Sequence, residues 1–505
     1  MRSGRALVRL VEAGAAFTAA VLIAGCGNSY RPVVTPVASS GPAAEASSYA
    51  VVVSAPSTTT GIATIIDWSG DSILAYAPIG PGPLNFTLDE LGSEGYTVNR
   101  DGTITNFPIT TSLQAKSVTY STPAAGAELV NMMTPSSGMW ATDLNGNLAD
   151  IFTGSPQSFK LSVPVATSPV VVAGSPTLQG QREYVVAQNF TDSTGLACNT
   201  APTAQVSGEV VPIEISTYTA DTAIPVGKCP VWAVQTSDQR RLFVINRGND
   251  TVTVVNTVNN ALDSCTPYQN QDGAWVTCHP TISLPAGSSP VYAEYNAAKQ
   301  ILVVANYGGG TVSVIDVPLD EFGNDSNTYA NGNCTTYAAC GAVTGGFGTV
   351  HTITVGNTAK PYPASITVLS DGSRAYSANQ GDDSGDGNGT VSVINLSSYQ
   401  VEKTLEVVGH PRTVVSTQNS TNAKIYAAAP DSPYLTIIKD SGTAADAIDT
   451  DLLVEGNIVD VRVTTQNGSS GNALFSSRTP GRGQPCNLPP NSAAPLTLAG
   501  CQQIP

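Results

Sequence analysis

One phrase recurs along this chain and restricts its fold more than any other feature. Arg241 to Asn256 reads R-L-F-V-I-N-R-G-N-D-T-V-T-V-V-N, a strand ending on Asn246, a polar turn, and a second alternating strand opened by Thr251. Ile301 to Asp316 reads I-L-V-V-A-N-Y-G-G-G-T-V-S-V-I-D. Arg374 to Asn395 reads R-A-Y-S-A-N, then a Gly/Asp-rich turn, then T-V-S-V-I-N. When one supersecondary unit repeats, each copy buries its apolar face against its neighbours, so the architecture is an array.

The unit extends beyond the hairpin. Ser168-Pro169, Cys229-Pro230, Ser289-Pro290, Tyr362-Pro363 and His410-Pro411 each open a copy, with Pro at a strand entry where no interior ladder bond is lost. Before most of these openings an apolar strand ends in Gly, at Gly227, Gly287, Gly356 and Gly409. Each unit therefore holds four antiparallel strands, the blade of an all-β propeller. With only 12% charged residues and abundant Gly, Ser, Thr, Asn and Val, the chain has the composition of short strands joined by many turns. Segmentation gives seven or eight units between Tyr49 and Gly456, the N-terminal ones degenerate up to about Val165. Ile458 to Val463 is expected to supply the first strand of the blade that residues near Tyr49 complete, which closes the ring and removes exposed edges.

These phrases, with their V-G-x-x-P junctions, resemble the YVTN-type β-propeller repeat of the YncE-like family, most clearly from about residue 168 to 455. The resemblance implies a ring of seven blades, so the expected architecture is a seven-bladed propeller, with eight blades as the other segmentation. A monomer is expected, with the propeller spanning 49–480 and a tail over 481–505.

The first 25 residues read as a targeting signal. Arg2, Arg5 and Arg9 precede an apolar run from Ala13 to Ile23, too short to span a bilayer comfortably. The run ends in Leu22-Ile23-Ala24-Gly25-Cys26, which resembles the lipobox of bacterial lipoproteins. That resemblance implies lipid on Cys26, a flexible tether over 26–48, and a chain anchored to the membrane by acyl chains. Gly27 and Asn28 follow in place of Asp, which by the usual sorting logic points to the outer membrane of the cell envelope.

Nine cysteines leave eight once Cys26 is assigned to lipid, an even set suited to an oxidising compartment. Cys265 with Cys278, Cys334 with Cys340, Cys486 with Cys501 and Cys198 with Cys229 are the favoured pairings, although eight cysteines allow 105. No C-x-x-C pair and only three histidines disfavour structural zinc. The formal net charge is −16, and loss of Arg2, Arg5, Arg9 and Glu12 with the signal makes it more negative still. An acidic domain repels phosphate backbones, which disfavours nucleic acid as a partner.

Candidate sites are few. In the loop from Gln380 to Thr390, Asp382, Ser384, Asp386 and Asn388 alternate as oxygen ligands would around calcium, and Gly387 supplies a bend. Position twelve of such a loop falls on Val393 in place of a bidentate Glu, so a solvated Gly/Asp turn competes with the metal reading. The row Asn246, Asn306 and Asn379 is better explained by strand-end turn chemistry than by function. His279, His351 and His410 have no partner in the nearby sequence, and no G-x-S-x-G, H-E-x-x-H or phosphate-binding glycine loop occurs. The expected function is therefore a binding or scaffolding platform for an envelope protein or glycan. The inserts Asn189 to Gly208, Cys265 to Cys278 and Phe322 to Gly348 would decorate one face of it. The alternative is a lactonase-like propeller hydrolase, which needs a polar cluster gathered at the channel mouth; haem or copper chemistry would require ligands this chain scarcely contains.

Overall fold

The computed structural model describes residues 49–464, apart from 58–59, 90–91, 100, 110–117, 121–126, 136–137, 155–156, 175–181, 190–205, 382–387, 418–422 and 441–445. The expected signal, Cys26, the tether, the Cys486–Cys501 tail, Cys198, Asp382, Ser384 and Asp386 lie outside the described residues.

Eight antiparallel blades form the ring, one more than the seven first expected. The degenerate N-terminal stretch accounts for the difference. It folds into most of blade 1 (Tyr49–Ser57, Thr60–Asp67, Ser72–Ile79), all of blade 2 (Pro83–Leu88, Glu94–Asn99, Ile104–Pro108, Val118–Tyr120) and all of blade 3 (Leu129–Met133, Met139–Asp143, Leu148–Thr153, Ser158–Pro164). Blades 4 to 8 begin with the strands Pro169–Gly174, Pro230–Gln235, Pro290–Asn296, Pro363–Val368 and Thr413–Ser416. Blade 1 receives its innermost strand from the other end of the described chain: Asn457–Val463 pairs antiparallel with Tyr49–Ser57, Val52 facing Val461. This is the closure the sequence suggested, and it joins the two ends of the described chain within one blade, so that only short strand edges remain.

Inner strands of neighbouring blades pack side by side all round the ring. Their polar side chains bond to the backbone of the next inner strand. Asn85 Nδ2 donates to the Val130 carbonyl at 3.2 Å, and Val172 N–H donates to Asn131 Oδ1 at 2.9 Å. Trp232 Nε1 donates to the Ala293 carbonyl at 3.1 Å, while Val368 N–H donates to Glu294 Oε2 and Val414 N–H to Ser365 Oγ, both at 3.0 Å. Inner strands use their ladder groups on one side only, so these bonds satisfy polar groups that would otherwise be orphaned in the interior.

The repeated Asn and Gly have a joint cause. Asn246 Nδ2 bridges Thr251 and Thr253 at 3.1 and 2.9 Å, and Thr253 Oγ1 in turn accepts from the Gly227 N–H at 3.1 Å. Blade 7 repeats the clasp with Asn379, Thr390, Ser392 and Gly356, and blade 2 with Asn99, Thr103, Thr105 and Gly80. A Cβ on Gly227 would lie 2.5 Å from Asn246 Cγ, so the clasp excludes any side chain there. The asparagine row is structural.

Candidate functional site

Antiparallel strands sort the loops onto two faces. The entry face carries the connections into each inner strand and between second and third strands; the opposite face carries the other two sets.

On the entry face, the residue just after each second strand occupies an equivalent place in successive blades: Gln188, Arg247, Tyr307 and Gln380. Gln188 Nε2 donates to the Pro230 carbonyl at 3.0 Å, and Arg247 Nε donates to Ser289 Oγ at 3.0 Å. Tyr307 stacks on Tyr362 with ring centroids 4.6 Å apart. Arg247 keeps some accessible surface, yet desolvation lowers its pKa, with Tyr307 opposing that shift; it sits in a recess. In blade 8 the His410 ring Nδ1 and backbone N–H both face the Asp431 carboxylate. Arg247, Tyr307 and Gln380 were missed as a set in sequence, but a signal existed. In N-R-G, N-Y-G and N-Q-G they are the variable letter between two repeated ones.

The opposite face holds a larger construction. Blade 5 interrupts its outer strand, Ala261–Leu262 and Thr281–Ser283, with a hairpin of Tyr268–Gln269 and Trp275–Val276. Blade 6 inserts a second hairpin, Asn327–Tyr329 with Val343–Gly346, before its outer strand Val350–Thr354. Two expected disulfides close them: Cys265–Cys278 with Cα atoms 5.5 Å apart and Cys334–Cys340 with 5.0 Å. The two hairpins lock together. Trp275 Nε1 donates to the Cys334 carbonyl at 3.4 Å, Asn327 Nδ2 donates to Thr277 Oγ1 at 3.2 Å, and the Tyr329 and Thr277 hydroxyls lie 3.3 Å apart. The resulting ledge exposes Tyr268, Phe322 and Tyr337, with Trp275 and Tyr329 half-buried between them.

Beneath the ledge lies a buried charged cluster. Arg241 Nη2 reaches Asp263 Oδ1 at 3.2 Å, Asp325 Oδ1 at 3.3 Å and the Gly323 carbonyl at 3.1 Å. His279 Nδ1 lies 2.7 Å from Asp325 Oδ2, and its ring packs against Phe347. Burial, then the negative charge of Asp325, push the Asp263 carboxyl up to about 6, although Arg241 opposes this. Two carboxyl groups held by one guanidinium and an imidazole tie both inserts to blade 5.

The three histidines thus each have an aspartate that sequence did not disclose, since His351 Nε2 also lies 3.1 Å from Asp316 Oδ2 and stacks on Tyr399. They are dispersed over blades 5, 6 and 8 and form no common centre. Of the four candidate calcium ligands only Asn388 is described. Its amide is engaged within the blade, Nδ2 donating to Glu406 Oε1 at 2.9 Å and Oδ1 accepting from the Gly409 N–H at 3.2 Å. No group of three or more His, Cys, Asp or Glu side chains is arranged to hold a metal ion among the described residues. Cys229 is buried and disulfide-bonded; its expected partner Cys198 is outside the described residues. One expectation needs correction. The insert leaving at Asn189 and returning at Ser207 joins second and third strands, so it departs from the entry face, whereas the Cys265–Cys278 and Phe322–Gly348 inserts belong to the opposite one.

Comparison with known proteins supports the propeller class, although the matching family is described as seven-bladed and this ring has eight blades. The family described as "Lactonase, 7-bladed beta-propeller" matches residues 219–333, the end of blade 4, blade 5 and part of blade 6. No curated protein matches the sequence. The crystal structure of AztD from Citrobacter koseri has 12% identity and a TM-score of 0.52, covering 82% of this chain and 97% of that one. Sqt1 of Saccharomyces cerevisiae shares 10% identity with a TM-score of 0.51, covering 78% of this chain and 94% of that one. A putative 6-phosphogluconolactonase from Bacteroides fragilis NCTC 9343 shares 14%, with a TM-score of 0.48, covering 84% and 99%. At such identities the likeness to the first two establishes the fold alone.

Proposed function

We propose that this chain is a lipid-anchored cell-envelope propeller that acts as a binding or scaffolding platform for an envelope protein or glycan, with the ledge on blades 5 and 6 as its contact surface. One observation carries the reading. Two inserts, each closed by a disulfide, are interlocked by hydrogen bonds and fastened from below by the Arg241 cluster, yet they present aromatic rings to solvent. A rigid aromatic surface loses little conformational entropy on binding and suits recognition. Anchoring through Cys26 would hold that surface at a membrane.

The test has two parts. Cys26→Ser should move the full-length chain from the membrane fraction to the soluble fraction. In-cell crosslinking should capture a stoichiometric partner that is lost when the Phe322 to Gly348 insert is shortened; capture that ignores this change would defeat the assignment of the ledge.

A second reading, lactonase-like hydrolysis at the entry face, draws on the family match over 219–333 and on the His410–Asp431 pair and recessed Arg247. It is the weaker one because His410 stands in blade 8 and Arg247 in blade 5, three blades apart in the ring. Lactone hydrolysis by the full chain that drops at least a hundredfold in His410→Gln would reverse the preference.

A further inference from the structure

The ledge has a chemistry that narrows what it can hold. From Ser326 to Gly346 the sequence S-N-T-Y-A-N-G-N-C-T-T-Y-A-A-C-G-A-V-T-G-G contains no charged residue, in a chain whose formal charge is −16. Its exposed side chains include Asn331, Asn333, Thr335, Thr336 and Tyr337, together with further Ser and Thr and with Ala and Gly. Aromatic rings follow one another across the surface. Trp275 and Tyr337 lie 5.9 Å apart and tilted by 51°, and Tyr337 meets Tyr329 edge-on at 6.3 Å.

Each part is held in place. Tyr337 opens the single helical turn Tyr337–Cys340, which Cys334–Cys340 closes and to which Asn331 Nδ2 donates at the Ala339 carbonyl, 3.1 Å. Tyr337 is 38% exposed in spite of this anchoring, so the fold spends constraint on holding an apolar ring in water. An isolated exposed aromatic requires no explanation, but a braced one beside amides and hydroxyls does.

We infer that the ledge binds a neutral glycan, with the Trp275 and Tyr337 rings stacking on the apolar C–H face of a pyranose and Asn331 and Thr336 hydrogen-bonding its hydroxyls. A sugar ring has one apolar face and a rim of donors and acceptors, which matches aromatic rings bordered by amides and hydroxyls. Anionic ligands find no cation between Ser326 and Gly346 to bind them. A protein partner would use the same aromatic rings as anchors but would be expected to find Met or Arg beside them, and Ser326 to Gly346 holds neither. The inference rests on the platform reading above and chooses between its two ligand classes.

The test is calorimetric titration of the purified full-length chain with neutral oligosaccharides of glucose, mannose and N-acetylglucosamine, alongside a sialylated oligosaccharide as the charged comparison. At least one neutral oligomer should bind, Tyr337→Ala should weaken it tenfold or more, Tyr337→Phe should retain most of the affinity, and Asn331→Ala should weaken it severalfold. Intact-mass analysis showing both disulfides, with unchanged melting, excludes loss of fold as the cause. Absence of binding by every neutral oligomer, equal affinity in Tyr337→Ala, or preference for the sialylated ligand would overturn the inference. The platform reading is judged separately: a protein crosslinked in cells and lost in Tyr337→Ala would preserve it while removing the glycan, whereas loss of both results would remove both.

Discussion

Two buried polar networks among the described residues differ in every respect that matters for reading a sequence. The asparagine clasp is neutral, local and repeated, formed in blade 5 by Asn246, Thr251, Thr253 and Gly227 within a span of 27 residues. The Arg241 cluster is charged and occurs once, joining Arg241 to Asp325 across 84 positions. The clasp secures a blade to its own geometry. The cluster secures inserts to a blade. A neutral clasp can be copied wherever the repeat is copied, because amide and hydroxyl satisfy one another without a charge to balance. A buried ion cluster must be assembled completely, since any member left alone is an uncompensated charge in the interior.

Arg241→Met is the most severe way to break that contrast. The side chain of Arg241 is 4% exposed, and those of Asp263 and Asp325 are 2% and 1% exposed. Removing the guanidinium while preserving volume leaves two carboxyl groups with His279 alone, and loss of one partner from such a group costs about 3–5 kcal/mol. Denaturant unfolding should report that loss, and limited proteolysis should cut within 264–278 or 318–349 before it cuts the propeller. Adding Asp263→Asn and Asp325→Asn should restore much of the stability. Unchanged protection of the inserts in Arg241→Met would show that the disulfides suffice.

A smaller effect follows from pH. Burial raises Asp263 to about 6, with Asp325 adding to the shift, so its folded pKa exceeds the ordinary value of about 3.9 for an unfolded aspartate. The folded state therefore retains a proton that the unfolded state releases. Its stabilisation is fully present below about pH 4 and is lost as pH rises through about 6, on the order of 2–3 kcal/mol. Asp150 in blade 3 is raised to about 6 by burial, despite the Ser162 hydroxyl bonding to it, and contributes with the same sign. Comparing melting at pH 4 and pH 7, Asp263→Asn should flatten part of the decline and Asp150→Asn a separate part. If Asp263→Asn leaves the slope as it was, the proton is held elsewhere in the cluster.

The two networks also mark how far sequence reading reached. Blade strands, their order, the Pro entries, the Asn row and the closing strand were legible because each is written in a period or a repeat, and local hydrogen bonding enforces both. Cys265–Cys278 and Cys334–Cys340 were legible because short separation makes their geometry nearly unavoidable. Eight blades were not fixed, since Tyr49 to Pro164 keeps the alternation of the repeat but loses most of its marker residues. Blade 2 preserves the clasp through Asn99 with Thr103 and Thr105, yet neither neighbour of it does, so the rhythm is interrupted. The aspartate partners of His279, His351 and His410 were invisible because strand pairing and turns, not sequence adjacency, bring them close. Arg247 and Gln380 could have been noticed as the variable letters inside a repeated frame.

The smallest effect separates clasps that look alike in sequence. Asn246 and Asn379 occupy equivalent positions, and each donates through Nδ2 to two hydroxyls. Asn379 Oδ1 also accepts from the Ser377 hydroxyl at 2.9 Å, whereas Asn246 Oδ1 is buried with no hydrogen-bond partner among the described residues. An Ala at position 379 removes three hydrogen bonds and leaves Ser377 unsatisfied. At position 246 the same change removes two bonds but also an orphaned acceptor whose burial was unfavourable. Asn379→Ala should therefore destabilise the propeller by about 1 kcal/mol more than Asn246→Ala, near the net worth of one hydrogen bond. Ser377→Ala should narrow the gap, because it takes away the bond that distinguishes the two blades. Equal unfolding midpoints for the two Asn variants would mean that position in the repeat, and not the local count of satisfied groups, determines what a clasp contributes.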